Sequence, residues 1–170
     1  AGLRSLFLGF ETMDETDLRA QRKGHNIGRD YAAAIERLHG LGVMVNGSFI
    51  FGMDSDDESV FDRTIEWSRQ QGIETAVFHV LTPYPGTRLF DRMSAAGRLL
   101  HRDWDRYDTR HAVFRPAKMS PEQLEEGFWR AWNEYYRWGS ILRAAGTKDT
   151  LGGKLRHVAY TAGWKRFKPL

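Results

Sequence analysis

Acidic and histidine residues are closely spaced in two segments of this sequence, and such clusters suggest metal binding. One acidic group follows the strand-like segment 43–52 and consists of Asp54, Asp56, Asp57 and Glu58. Closely spaced carboxylates suggest a magnesium or calcium loop, but the spacing here lacks the calcium-loop pattern. Acidic residues are also typical of a helix N-terminus, where they interact favourably with the helix dipole. We therefore favour a helix start over a metal site in this segment.

A second group of possible metal ligands lies within 99–111, a segment that mixes aromatic residues with both signs of charge. Its members are His101, Asp103, Asp105, Asp108 and His111. No helical or hairpin spacing holds them together, which a metal site requires. Ion pairs with the neighbouring Arg102, Arg106 and Arg110 are the favoured interpretation.

Two single residues are candidates for ligand contact. Glu11 follows the strand-like run 6–10, at the end of a strand from which open α/β sheets address their ligands. A structural pairing with Arg22 or Lys23 explains Glu11 equally well. His79 lies in the middle of another strand-like run, where a satisfied core histidine is favoured and projection toward a substrate is the alternative.

The elements that must position these residues form strand–helix units. Segment 43–52 is rich in β-branched and aromatic residues and predicts a strand buried on both faces. A helix is predicted from Val60 to the stop at Gly72, followed by a strand over 75–81 that breaks at the proline–glycine turn 82–87. This order is typical of a βαβ unit.

The same alternation extends in both directions along the chain. The strand 6–10 precedes a predicted helix over 29–41, and a helix containing Leu89, Phe90 and Met93 ends at Gly97. We therefore predict an α/β fold with three parallel βα units, forming the C-terminal half of a partial TIM barrel, followed by a mostly helical extension. Three parallel strands alone would leave an edge unpaired, so we expect the chain to be the C-terminal part of a larger protein.

The sequence as a whole predicts three regions. We place the half-barrel at 1–98, a loop and aromatic helix at 99–146 and a basic tail at 147–170. The aromatic helix starts with a capping box of Ser120 and Gln123 and is predicted to run from Pro121 to about Ala144. A last helix is expected over 151–162.

Composition narrows the class of protein. The chain has 170 residues, a net charge of +3 and no cysteine, so it can build neither a disulfide nor a thiolate metal site. It has no run of about 18 apolar residues and no signal-peptide pattern, so we expect a soluble, cytoplasmic protein without a transmembrane segment. A solvated surface is favoured for the basic tail over a phosphate-rich or membrane partner.

Four segments, in this order, resemble motifs of the radical S-adenosylmethionine (SAM) enzymes. Segment 8–12, Leu-Gly-Phe-Glu-Thr, resembles the end of the family's fourth strand, and 22–25, Arg-Lys-Gly-His, the basic step after it. Segment 47–52 is similar to the fifth-strand glycine motif, and 81–87 to the sixth-strand ending. The extension 99–144 resembles that of a subgroup that usually carries a cobalamin-binding domain and includes methylases of hopanoids and bacteriochlorophylls.

The resemblance implies a set of SAM-binding residues, while catalytic residues stay unknown. Glu11 would accept hydrogen bonds from the ribose hydroxyls or the methionyl amine, and Lys23, with Arg22 as a substitute, would meet the carboxylate. The adenine would contact Ser48, Ile50 and Gly52 on one side and Leu81, Thr82 and Tyr84 on another. Each group also has a structural explanation. Ion pairing would explain Glu11 and Lys23, strand core would explain Ser48, Ile50 and Gly52, and turn formation would explain the segment that contains Leu81, Thr82 and Tyr84.

The resemblance also implies partners that this chain does not contain. The family holds a 4Fe–4S cluster on three cysteines, which are absent here, so we expect a fragment that is inactive alone and needs the missing N-terminal half of its own enzyme. The substrate would be a small molecule, such as a lipid or tetrapyrrole, with cobalamin as a further cofactor. One alternative is a radical SAM methylthiotransferase that acts on RNA or on a ribosomal protein, and the helical extension argues against an RNA enzyme. The other is a cluster-less, non-catalytic binding protein.

Overall fold

The computed structural model describes residues 2–12 and 30–165. Three strands form one sheet in the order β1 (Ser5–Glu11), β2 (Met44–Phe51) and β3 (Thr75–Val80). Both strand pairs are parallel, as the sequence predicted. Closure into a barrel, the half-barrel assignment and the three region boundaries stay predictions.

Six α-helices occur in the described part of the chain, together with a short 3₁₀ helix, Trp104–Arg106. The helices are α1 (Tyr31–Gly40), α2 (Ser59–Gln70), α3 (Arg88–Ala95), α4 (Pro121–Tyr135), α5 (Trp138–Ala145) and α6 (Leu151–Trp164). Helices α1, α2 and α3 follow β1, β2 and β3 in turn, which confirms the three predicted strand–helix units. Helix α6 confirms the predicted last helix.

A row of aromatic rings covers one face of the sheet. Phe49 stacks on Phe10 and on Phe78, with ring centroids 5.3 Å and 5.9 Å away. Tyr31 of α1 and Trp67 of α2 both pack edge-on against Phe10. These helices therefore lie on the same face of the sheet, which we call the aromatic face.

The single long aromatic helix predicted from Pro121 to about Ala144 is wrong, because the chain breaks between α4 and α5. Arg137 has extended backbone angles, φ −68° and ψ 142°, and is the N-cap of α5. A side chain from another helix stabilises this break. Arg69 of α2 donates to the carbonyl oxygen of Glu134 at 3.0 Å and to Oγ of Ser140. Ser140 Oγ in turn donates to the same carbonyl at 2.6 Å.

A buried ion cluster ties the amino end of the sheet to the C-terminal helices. Glu74, just before β3, accepts from the backbone N–H of Val45 at 2.8 Å and lies 2.7 Å from Nζ of Lys148. Its other close neighbours are Nε2 of His39 at 3.2 Å and Nδ1 of His157 at 3.9 Å. We call Glu74, Lys148, His39 and His157 the amino-end cluster. The hydrogen bond from Thr161 Oγ to the Glu74 carbonyl, at 2.7 Å, adds a second tie to α6.

Among the helices of residues 2–12 and 30–165, each is too short or too polar to cross a lipid bilayer.

Candidate functional site

The face of the sheet opposite the aromatic row carries three of the predicted site residues, Glu11, Ser48 and Ile50, together with His79. Side chains alternate between the two faces of a strand, and Phe49 and Phe78 point to the aromatic face. Ser48, Ile50 and His79 therefore point to the other face, which we call the second face. The parallel register places Ile50 directly beside His79.

Glu11 reaches the second face through an irregular strand end. The register of β1 against β2 shifts between Gly9 and Glu11, and Glu11 has a left-handed φ of 67°. Its carboxylate folds back over Gly9, so that a Cβ added to Gly9 would lie 2.9 Å from Oε1 of Glu11. The carboxylate of Glu11 can occupy this position because residue 9 is a glycine and has no Cβ.

Gly52, at the carboxyl end of β2, is enclosed by core side chains. Its φ is 98°, and an added Cβ would lie 2.9 Å from Cδ2 of Leu124 and 3.2 Å from Cζ of Phe114. Its backbone N–H donates to Oδ2 of Asp56 at 2.9 Å. Packing and backbone conformation thus explain the glycine here, and contact with adenine stays a prediction.

Asp56 organises the turn after β2, a role that the sequence analysis missed. Its buried carboxylate accepts from the backbone N–H groups of Gly52 and Met53, both at 2.9 Å. No metal-binding group of three or more acidic or histidine residues occurs in the described ranges, which include 54–58 and 99–111. The preference for a helix start at 54–58 agrees with α2, which begins at Ser59.

Leu81 and Thr82 follow β3 and are both buried. The backbone N–H of Leu81 donates to the carbonyl oxygen of Phe51 at 2.8 Å, which keeps the end of β3 beside the end of β2. The hydroxyl of Thr82 donates to the carbonyl oxygen of Val80 at 3.0 Å. The structure therefore places Leu81 and Thr82 at the same end of the sheet as Glu11 and Gly52.

The segment 107–111 closes the outer edge of β3. The backbone N–H of Val80 donates to the carbonyl oxygen of Thr109 at 2.7 Å, and Oγ of Thr109 lies 3.2 Å from Nδ1 of His79. Asp108 accepts from the backbone N–H groups of Arg110 at 2.9 Å and His111 at 3.1 Å. It also pairs with the side chain of Arg110, as the ion-pair interpretation predicted.

Burial and a neighbouring charge shift the pKa of His79 in opposite directions. Burial lowers the pKa of the imidazole below its ordinary value, and the negative charge of Glu11 raises it by a smaller amount. Burial therefore favours the neutral imidazole. Glu11, on β1, is close enough to His79, on β3, for its charge to act on the imidazole.

The structure places five of the seven predicted site residues at or just beyond the carboxyl end of the sheet: Glu11, Ile50, Gly52, Leu81 and Thr82. Ser48 lies in the middle of β2, opposite Val77 of β3. Lys23 and its substitute Arg22 lie outside the described residues. Thr109 was not predicted, because nothing in the local sequence shows that it reaches β3.

Comparison with known proteins identifies relatives of this chain, although no protein-family model matches it. It is 38% identical over 143 residues to bacteriochlorophyllide d C-12(1)-methyltransferase of Chlorobaculum tepidum, covering 84% of this chain and 31% of that protein. The C-8(2)-methyltransferase of the same organism is 27% identical over 143 residues, which is 84% of this chain and 32% of the relative.

A third relative is hopanoid C-2 methylase of Rhodopseudomonas palustris, 30% identical over 99 residues, which cover 58% of this chain and 19% of the relative. The chain thus spans about a third or less of the length of these relatives. All three are radical SAM enzymes, in agreement with the motifs at 8–12, 47–52 and 81–87. The chain belongs to the radical SAM superfamily.

Proposed function

We propose that this chain is the C-terminal, SAM-facing part of a methyltransferase that acts on a tetrapyrrole of the bacteriochlorophyllide class. The observation that carries the proposal is the 38% identity to a bacteriochlorophyllide d methyltransferase across 84% of the chain. The candidate residues at one end of the sheet support it, because ligands of α/β folds bind at the carboxyl ends of the strands.

The second face fits the nucleoside part of SAM. Glu11 offers a carboxylate at the strand end, and a carboxylate accepts hydrogen bonds from ribose hydroxyls or from an ammonium group. We assign to Ser48, Ile50 and Gly52 the contacts on one side of the adenine. Leu81 and Thr82 close the other side, and Lys23 pairs with the SAM carboxylate.

The donor set of this chain does not fit an iron–sulfur cluster. Cluster ligation needs thiolates, and the chain has no cysteine. In our proposal the 4Fe–4S cluster is bound by cysteines outside these 170 residues, and cobalamin, as the methyl carrier, by a further domain. SAM and the cluster together supply a radical able to take hydrogen from an unreactive carbon.

The chain's own contribution is orientation and exclusion of water. The irregular end of β1 places Glu11 at the carboxyl end of the sheet, and the hydrogen bond from Leu81 to Phe51 joins the segment after β3 to the end of β2. Holding reacting groups in one geometry converts a bimolecular step into an effectively unimolecular one. We infer that these residues hold the nucleoside so that its 5′ carbon faces the substrate.

The test uses the complete protein, purified and reconstituted without oxygen with iron, sulfide and cobalamin, the methyl carrier of this proposal. With dithionite, SAM and bacteriochlorophyllide d, we expect formation of 5′-deoxyadenosine and of a pigment carrying one added methyl group by mass spectrometry. Omission of dithionite is the control and should stop both. A reconstituted protein that neither binds nor cleaves SAM would contradict the proposal.

A further inference from the structure

His79 is placed to meet a ligand on the second face. Its neighbours Phe78 and Val80 are buried on the aromatic face, whereas His79 is only partly buried. It lies beside Ile50 in the sheet and within the electrostatic reach of Glu11. In the proposed function, this is the face against which SAM and its substrate lie.

The ring of His79 is held through one nitrogen. Nδ1 lies 3.2 Å from Oγ of Thr109, within hydrogen-bonding distance. When Nδ1–H donates to Thr109, the lone pair of the imidazole is on Nε2. A histidine that binds a metal is typically fixed in this way, by a hydrogen bond from its other ring nitrogen.

Thr109 itself is held in an unfavourable backbone conformation. Its φ is 66°, in the left-handed region that a β-branched residue rarely adopts. The hydrogen bond from Val80 to its carbonyl oxygen and the two that Asp108 accepts at Arg110 and His111 keep it there. Strained residues of this kind concentrate at functional sites, where the surrounding structure fixes them.

We propose that Nε2 of His79 is the axial ligand of the magnesium ion in a magnesium tetrapyrrole substrate. This inference rests on the proposed function. A bacteriochlorophyllide holds magnesium in the plane of four ring nitrogens, so the ion takes a further ligand perpendicular to the ring, and a neutral imidazole supplies one. The position of His79 beside Ile50 and the contact of its Nδ1 with Thr109 leave Nε2 as the nitrogen available for this role. The ligand would fix the height and tilt of the pigment above the sheet.

The experiment compares bacteriochlorophyllide d with its magnesium-free form, bacteriopheophorbide d, by absorption titration of the complete, reconstituted protein. We expect the wild type to bind the magnesium pigment at least about tenfold more tightly, the scale typical of metal-site contacts. His79→Ala should bind the two pigments equally, and added imidazole should restore the preference, which a misfolded variant would not show. Thr109→Val should reduce the preference, and Thr109→Ser should keep it.

The matched control is His101→Gln, which changes a histidine outside the sheet and should keep the wild-type preference. Equal binding of both pigments by the wild type would overturn the inference, as would a preference that persists in His79→Ala or an absence of pigment binding. SAM cleavage and methylation are measured on the same samples. If they persist without a magnesium preference, the ligand assignment alone fails, whereas their loss in the wild type contradicts the proposed function.

Discussion

The ammonium group of Lys148 lies 2.7 Å from Oε1 of Glu74, and both side chains are largely buried. The two residues are 74 positions apart in sequence and join the start of β3 to the turn before α6. Lys148 also donates to the carbonyl oxygen of Gly72 at 2.7 Å. A buried pair with these additional hydrogen bonds fixes the position of α6 against the sheet.

Removing one charge of this pair should destabilise the fold. Glu74→Gln leaves Lys148 buried without its counter-charge, which typically costs about 3–5 kcal/mol. We expect a lower thermal unfolding midpoint for the purified variant by calorimetry. The double variant Glu74→Gln, Lys148→Met removes both charges and should recover part of the loss. The single variant Lys148→Met completes the comparison. If the double variant loses as much stability as the two single variants together, the two residues do not interact.

The same carboxylate predicts a pH dependence of stability. Burial alone would raise the pKa of Glu74, but the nearby imidazoles of His157 and His39 and the charge of Lys148 outweigh it and hold this pKa well below its ordinary value of 4.5. A carboxyl group whose pKa is lower in the folded state stabilises the fold above its unfolded pKa, and this stabilisation is lost as the pH falls. The difference in unfolding midpoint between wild type and Glu74→Gln should therefore shrink below about pH 4.5. A constant difference from pH 7 to pH 3 would contradict this.

Gly127 should not tolerate a side chain. It lies on the buried side of α4, and an added Cβ would be 2.1 Å from Cε2 of Phe61 in α2. Overpacking of this kind costs about 1–3 kcal/mol, so Gly127→Ala should lower the thermal unfolding midpoint. Gly139→Ala, in α5, is the matched control, since its Cβ would meet nothing within 4 Å. Equal stability of the two variants would show that α2 and α4 pack less closely than described.

Glu11→Ala should weaken SAM binding. A hydrogen bond to a charged group contributes about 1.5–3 kcal/mol, so the dissociation constant should rise roughly tenfold to a hundredfold. Isothermal titration of the complete, reconstituted protein measures this change. Iron content should stay at the wild-type level, because in our proposal the cluster is bound by cysteines outside these 170 residues. Unchanged SAM affinity would remove Glu11 from the site.

Gly9→Ala tests whether the position of the Glu11 carboxylate matters as well as its charge. The new Cβ would crowd Oε1 of Glu11, a flexible group that can move away, so the fold should persist while SAM affinity falls. Gly40→Ala is the control, because its Cβ would meet nothing within 4 Å. An affinity equal to that of wild type would mean that SAM does not depend on this arrangement.

The parallel strands and their helices could be predicted because hydrophobic runs and glycine stops are local signals. The break between α4 and α5 could not, since no proline or glycine lies there and Arg69, which holds it, is 65 residues away from Glu134. The Glu74–Lys148 pair is equally remote in sequence. The assignment of Gly52 to adenine contact stays a prediction, because its surroundings in the structure are the side chains of Leu124 and Phe114, which come from segments far away in sequence.

The two ends of the sheet differ in a way that bears on how such enzymes diversify. At the amino end, one carboxylate joins β2, α1 and the segment before α6, so substitutions there disturb several elements at once. At the carboxyl end, the candidate residues are independent of one another: Glu11 ends β1, Ile50 lies near the end of β2, and Leu81 and Thr82 follow β3. Substitutions at this end should therefore alter one strand end at a time and leave the packing at the amino end intact.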